Sequence, residues 1–260
     1  MADTKEFARG YTLANQTQKD TATFLLQKLY ITPDMRVLDV GCGPGDITVR
    51  IAELVGQKGE VVGIDPSKER VSIAVTERAR SNISFYEGKA EDLSQFPTNS
   101  FDAVFVNSTL HWVQDQLTAV KEFGRVLRPG GRLGVSGGSG DFVAAHEKIK
   151  ADVLSRDPYS MYPEQSPPKF LKMLELEALL DEAGFQEREI IRRTIVKSAE
   201  NPDAMLNWLD TSSSGKTYGG IPLELRPKAR EEMKHEWDKL MTKDGIQMEM
   251  ELLVTVAIKA

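Results

Sequence analysis

An α/β fold, an open and mainly parallel sheet with helices on both faces, is predicted from three observations. Short apolar runs alternate along the chain with segments of helical periodicity, the pattern of strands joined by crossover helices. The first run, Arg36 to Val40, leads straight into a turn containing Gly41, Gly43 and Gly45. A second run, Val61 to Ile64, then ends in an acid, Asp65, about twenty residues beyond the glycine turn.

The elements follow in order. Thr21, Phe24, Leu25 and Leu29 mark a helix over 17–30, which Pro33-Asp34 breaks before the first strand. After the second strand, a helix over 68–80 places Val71, Ala74, Val75 and Arg78 on one side. Ile83 to Tyr86 and Ala103 to Val106 read as the third and fourth strands. Leu117, Val120, Phe123 and Val126 recur as one helical face that stops before RPGG, and Leu133 to Ser136 reads as the fifth strand. The alternation then fails. Phe142 to Leu154 leads into DPYSMYPEQSPPKF, a proline- and aromatic-rich stretch read as a covering loop. A helix over 171–183 ends at Gly184, a strand begins at Phe185 and carries Ile190, Ile191 and Ile195, and a last strand spans 252–258. Between these two strands, Asn201 to Glu249 is too long for a hairpin turn. Leu225, Ala229, Met233, Trp237 and Leu240 recur there at helical spacing, so the insertion is expected to form a small helical cap over the sheet.

Composition excludes several classes. Of the 260 residues 40% are hydrophobic and 28% charged, as in ordinary globular chains. No apolar run approaches the ~18 residues of a membrane span, and MADTKEFARG has no apolar signal core, so a cytoplasmic protein is expected. One cysteine and three histidines give neither an internal disulfide nor a metal-spaced cluster, and Cys42 reads as a small residue fitting a tight turn. The net charge of −6 argues against a nucleic-acid partner.

The glycine turn and Asp65 carry the chemistry. Without a Cβ, Gly41, Gly43 and Gly45 can take positive φ and let a ligand approach the main chain, while a carboxylate at Asp65 can accept both hydroxyls of a ribose. The spacing is GxGxG followed by Asp46, not the GxGxxG of nicotinamide and flavin sites. Asp39, two residues before the first glycine, would repel a pyrophosphate and suit a ligand carrying an ammonium or a sulfonium.

Five segments in order, VLDVGCGPG at 37–45, VVGIDPS at 61–67, YEGKAEDL at 86–93, FDAVFVNSTLHWV at 101–113 and RVLRPGG at 125–131, resemble the class I S-adenosylmethionine-dependent methyltransferases. The resemblance implies a Rossmann-like doubly wound sheet of seven strands in the order 3-2-1-4-5-7-6, its last two strands an antiparallel hairpin. It implies a single methyltransferase domain over 1–260, with a lid segment and helix at 1–30, a cofactor-binding core at 31–140, a covering loop and helix at 141–170 and the cap at 200–250. S-adenosylmethionine is the implied cofactor and S-adenosylhomocysteine its product. The implied binding residues are Tyr11 in a lid segment, Asp39, Gly41, Gly43, Gly45, Asp65, Pro66, Ala90, Glu91 and Asn107. Lys89 stands where the family usually has an acid facing the adenine amino group. Lysine cannot accept a hydrogen bond, so that contact passes to Glu91, Asp92 or the backbone.

In the subgroup that includes trans-aconitate and biotin-synthesis carboxyl methyltransferases, the loop holding His111 and Trp112 lines the path from methyl to acceptor. Histidine, with an ordinary pKa near ~6.5, suits a base at neutral pH, and a pocket-wall role is the alternative. Trp208 and Tyr218 in the cap offer further acceptor contacts or cap packing. The expected reaction is methyl transfer to a small molecule at oxygen. A C-methyltransferase of quinone or sterol type, and a protein that binds the cofactor without methylating, remain alternatives. Monomer and homodimer are both open.

Overall fold

The computed structural model describes residues 16–213 and 215–260. Seven strands form one sheet: β1 (Arg36–Val40), β2 (Glu60–Asp65), β3 (Ile83–Glu87), β4 (Phe101–Asn107), β5 (Leu127–Gly138), β6 (Phe185–Ala199) and β7 (Ile246–Lys259). Their order is β3-β2-β1-β4-β5-β7-β6, as the resemblance implies. The pairs from β3 to β5 are parallel, and β7 runs antiparallel to β5, with Val135 opposite Thr255. The chain divides into two compact units. The first comprises 16–141, 168–193 and 252–260, and the second 142–167 and 194–251.

In the sheet unit, strand alternation decides which helix covers which face. Val37, Val61, Ala103 and Phe105 pack against Leu25 and Leu29 of α1 (Gln16–Leu29) and Ile51 and Val55 of α2 (Asp46–Val55). Their neighbours Leu38, Val62, Val104 and Val106 point the other way, onto Val120 and Phe123 of α4 (Gln116–Val126) and Leu176 and Leu180 of α6 (Met173–Glu182). Burying each such side chain contributes about 1.5–3 kcal/mol, and both faces are apolar because both are covered.

Two sequence expectations shift. In α3 (Lys68–Glu77) Ile73 and Ala74 are buried while Val75 is 51% exposed, so the inward face is rotated from the expected one. RPGG does not precede the fifth strand but lies inside it. Leu127 pairs with Phe101, the register breaks, and Arg132 pairs with Ala103, with Gly130 at φ +74° taking the bulge.

The second unit has its own core. It joins α5 (Ala145–Leu154), α7 (Pro202–Ser212) and α8 (Arg226–Asp238) with the ends of β6 and β7. Met205, Leu206, Met233 and Trp237 are buried there with Val153 and Tyr159. The expected covering loop is mostly exposed, but one of its residues is core: Tyr159 is 1% exposed and its hydroxyl donates to Glu232 at 2.8 Å. Asn201 starts α7 by accepting from the Ala204 amide at 2.9 Å, and Pro202 follows at the first helical position, an N-terminal signal legible in Asn-Pro. No helix among the described residues is long and apolar enough to cross a membrane.

Candidate cofactor and acceptor site

The carboxyl ends of β1, β2 and β4 carry most of the residues singled out above, as an open parallel sheet requires of a ligand site. Gly41, Gly43 and Gly45 all take positive φ, 75°, 55° and 87°. Asp65 ends β2, is 6% exposed, and holds the turn through both oxygens. Oδ2 accepts from the Gly43 amide at 3.0 Å and Oδ1 from the Ser67 amide at 2.8 Å. Gly45 is also the residue before α2, so that helix begins with no side-chain cap on its amide end.

Not every missing Cβ faces a ligand. One placed on Gly41 would collide with the Thr109 side chain, and one on Gly45 would lie 2.8 Å from the Phe85 ring. The first glycine thus also lets the loop after β4 rest on the turn after β1. Thr109 went unnoticed in the sequence because nothing local links it to a residue 68 positions earlier.

Asp39 is 2% exposed and accepts from the Thr48 hydroxyl of α2 at 2.6 Å. Burial, opposed by that hydrogen bond and reinforced by the charge of Asp65, pushes its carboxyl up to about 7. The Cys42 thiol beside it is pushed well up by its own burial and by the same two carboxylates, as befits a packed residue and not a nucleophile. Pro66 is exposed after β2, Ala90 is buried and Glu91 half-buried. Lys89 is exposed, and its backbone bridges to Asp92 across a short turn. Tyr11 lies outside the described residues.

The loop after β4 is sharply turned. Ser108 has φ +53°, a left-handed conformation that costs a non-glycine residue about 1–3 kcal/mol, and its amide donates to the Ser136 carbonyl at 2.7 Å. Asn107 Oδ1 accepts from the Ser136 hydroxyl at 2.6 Å, so this side chain is tied to β5. A single 3-10 turn, Leu110–Trp112, then presents His111. Its ring stacks on Phe170 at 4.8 Å and 28° and tilts 50° against Trp112 at 5.0 Å. Leu110, His111, Val135, Leu171, Leu176 and Leu253 line a small apolar cavity closed on one side by Gly137 and Gly138.

Trp208 and Tyr218 sit inside the second unit. Both are less than a tenth exposed, Lys197 Nζ lies 5.3 Å over the Trp208 ring, and the Tyr218 hydroxyl donates to Asp210 at 3.1 Å. Among the described residues no group of His, Cys, Asp and Glu could hold a metal ion.

Two features of the turn fit a nucleoside ligand with positive charge. The glycine backbone is held by a buried acid at the end of β2, and a second buried acid at Asp39 repels it, an arrangement a cation would relieve. A family profile described as a methyltransferase domain matches residues 31–184. The chain belongs to this methyltransferase family. Its fold is the class I fold, and its cofactor is S-adenosylmethionine.

A demethylmenaquinone methyltransferase from Geobacillus sp. (strain WCH70) is 37% identical to the methyltransferase over 111 residues, which are 42% of this chain and 47% of that protein. The ubiquinone/menaquinone biosynthesis C-methyltransferase UbiE of Shewanella oneidensis is 35% identical over 150 residues, 56% of each. The chain spans about half the length of these curated relatives. Among solved structures, the YcgJ protein of Bacillus subtilis superposes with a TM-score of 0.66 over 93% of this chain and 98% of that one, at 18% identity, which shows a shared fold.

Proposed function

We propose that the protein transfers the methyl group of S-adenosylmethionine to a ring carbon of an apolar hydroxyarene, with His111 as the base. The observation that carries this reading is His111 on the wall of a small apolar cavity beyond the ends of β4 and β5, beside Leu253 of β7. The polar parts of that wall are His111, Gln116 and Lys169. Gln116 Nε2 is engaged by two carbonyls, and the Lys169 ammonium donates to the Gln114 carbonyl at 2.6 Å. The cavity, about 30 Å³, is smaller than an arene, so the acceptor would lie against this apolar wall and not inside it as it stands. The names of the curated relatives support carbon, the alternative in the sequence reading, over the expected oxygen.

When bound, S-adenosylmethionine supplies an electrophilic methyl on positively charged sulfur. Gly41, Gly43 and Gly45 would bring backbone to its nucleoside, Asp65 would accept from the ribose, and Asp39 would face its positive end. Pro66, Ala90, Glu91 and Asn107 would complete the wall. His111 would take the acceptor's hydroxyl proton, which raises electron density at the neighbouring ring carbon. As that carbon bonds to the methyl, the methyl–sulfur bond breaks to leave S-adenosylhomocysteine, and the ring C–H proton is lost to solvent as the hydroxyarene is restored. Trp112 would border the acceptor, while Trp208 and Tyr218 shape the second unit.

The test is an acceptor panel with S-adenosylmethionine labelled at the methyl. Apolar hydroxynaphthalenes should be methylated on carbon, with KM values well below those of carboxylated analogues. Label on oxygen, or preference for the carboxylated compounds, would overturn the reading.

The Asp39 carboxyl adds a pH dependence. Its folded-state pKa of about 7 lies above the ordinary carboxylate value, so the ligand-free fold holds this proton and loses stability as pH rises through about 4 to 7. A cationic ligand favours the ionised form. Calorimetric affinity for S-adenosylmethionine should therefore rise from pH 6 to pH 8, by at most about tenfold per unit below the pKa. Affinity for S-adenosylhomocysteine, which lacks the sulfonium charge, should rise less. Asp39→Asn should flatten both curves, and an unchanged slope in that variant would remove Asp39 from the cofactor site.

A further inference from the structure

Phe170 lies in the stretch 168–172, whose residues tie to the loop after β4 at several points. The Lys169 amide donates to the His111 carbonyl at 2.7 Å. Gln116, only 9% exposed at the start of α4, donates through Nε2 to the Leu110 carbonyl at 3.0 Å and to the Lys169 carbonyl at 2.9 Å. One buried amide thus bridges the turn carrying His111 and the stretch carrying Phe170. The Phe170 ring stacks on His111, and its other neighbour is Gly138, where a Cβ would stand 2.8 Å from the ring. At Gly137 a Cβ would lie 3.4 Å from His111 Nδ1, an ordinary contact, so the close approach belongs to Gly138. The far end is anchored too: the Gly140 amide donates to the Leu171 carbonyl at 2.8 Å, and Asp141 accepts from the Met173 amide at 2.9 Å.

We infer that Phe170 and Gln116 are positioning residues for His111: the ring fixes the plane of the imidazole, and the amide locks the stretch that carries the ring onto the catalytic loop. The inference rests on the reading of His111 as the base and adds to it how the imidazole is aimed. Proton transfer needs a fixed donor–acceptor geometry, and stacking against a ring wedged over a glycine contributes to it by holding the imidazole plane. Gly138 at the end of β5 then has a definite purpose: it makes room for the Phe170 ring beside His111.

The test compares Phe170→Leu, Phe170→Tyr and Gln116→Leu with the wild type and with His111→Gln in the full-length protein. Phe170→Leu and Gln116→Leu should lower kcat by about 10- to 100-fold, the cost of a displacement near an ångström, with S-adenosylmethionine affinity held. The thermal midpoint should fall somewhat in both, since each loses buried contacts. Phe170→Tyr, which keeps the ring, should restore kcat. In nuclear magnetic resonance spectra the His111 ring protons should lose the ring-current shift of Phe170 in Phe170→Leu and keep it in Phe170→Tyr, a signal that general loosening of the fold would not produce selectively. Should Phe170→Leu unfold, Gln116→Leu and the tyrosine variant still decide the matter. If His111→Gln is inactive while Phe170→Leu and Gln116→Leu turn over normally, or if the ring-current shift survives in Phe170→Leu, the positioning role is overturned. If His111→Gln itself retains full activity, it is the base assignment that fails.

Discussion

His111→Gln is expected to lower kcat by about 10²–10⁴-fold, the usual range for removing a general base. Glutamine approximates the size of imidazole and keeps a polar tip, so the contact with Phe170 is only partly lost and the thermal midpoint should hold. Affinity for S-adenosylmethionine should be unchanged, because His111 sits on the loop after β4 and not on the glycine turn. Acceptors acidic enough to arrive ionised should lose less rate in the variant than those whose hydroxyl must be deprotonated. Steady-state kinetics over such an acceptor series, with both substrates saturating, separates this role from the alternative of a pocket wall. A wall residue would change the acceptor KM whatever the acidity of the acceptor.

Asp65→Ala is expected to weaken cofactor binding by about two orders of magnitude or more. The carboxylate accepts from the Gly43 and Ser67 amides, and hydrogen bonds to a charged group contribute about 1.5–3 kcal/mol each. Alanine leaves the turn without its anchor before any ribose contact is counted, so the dissociation constant should rise by about a hundredfold or more. In the wild type, S-adenosylmethionine at 100 times its dissociation constant should stabilise the fold by about 2.7 kcal/mol. That shift in thermal midpoint should vanish in Asp65→Ala and be partly kept in Asp65→Asn, whose amide oxygen still accepts one hydrogen bond. An undiminished shift in the alanine variant would place the cofactor elsewhere.

The sheet was legible because its physics is local. Strands buried on both faces read as short apolar runs, and Gly41, Gly43, Gly45 and Asp65 sit where backbone must turn sharply. The order of the strands came from resemblance, since periodicity says nothing about which strands pair. The second unit was half visible. Ala229, Met233 and Trp237 gave α8 away, whereas Tyr159 is buried in a segment whose prolines signal a loop. What the sequence hid most completely are contacts made at a distance: Thr109 over Gly41, Thr48 on Asp39, and Phe170 stacked on His111 from 59 residues away. None follows from propensity: two depend on loops meeting at the same end of the sheet, and Thr48 on Asp39 depends on how α2 packs back on β1. Trp208 and Tyr218 show the converse. Their residue types suggested a ligand, and the structure gives them packing partners within the second unit.

The most direct measurement is a single turnover with enzyme in excess, S-adenosylmethionine carrying a ¹³C methyl, and an apolar hydroxynaphthalene. The expected result is label on a ring carbon of the acceptor in step with S-adenosylhomocysteine formation, at a rate that collapses in His111→Gln. Label that stays on the sulfonium while the cofactor is demonstrably bound would contradict methyl transfer at this site.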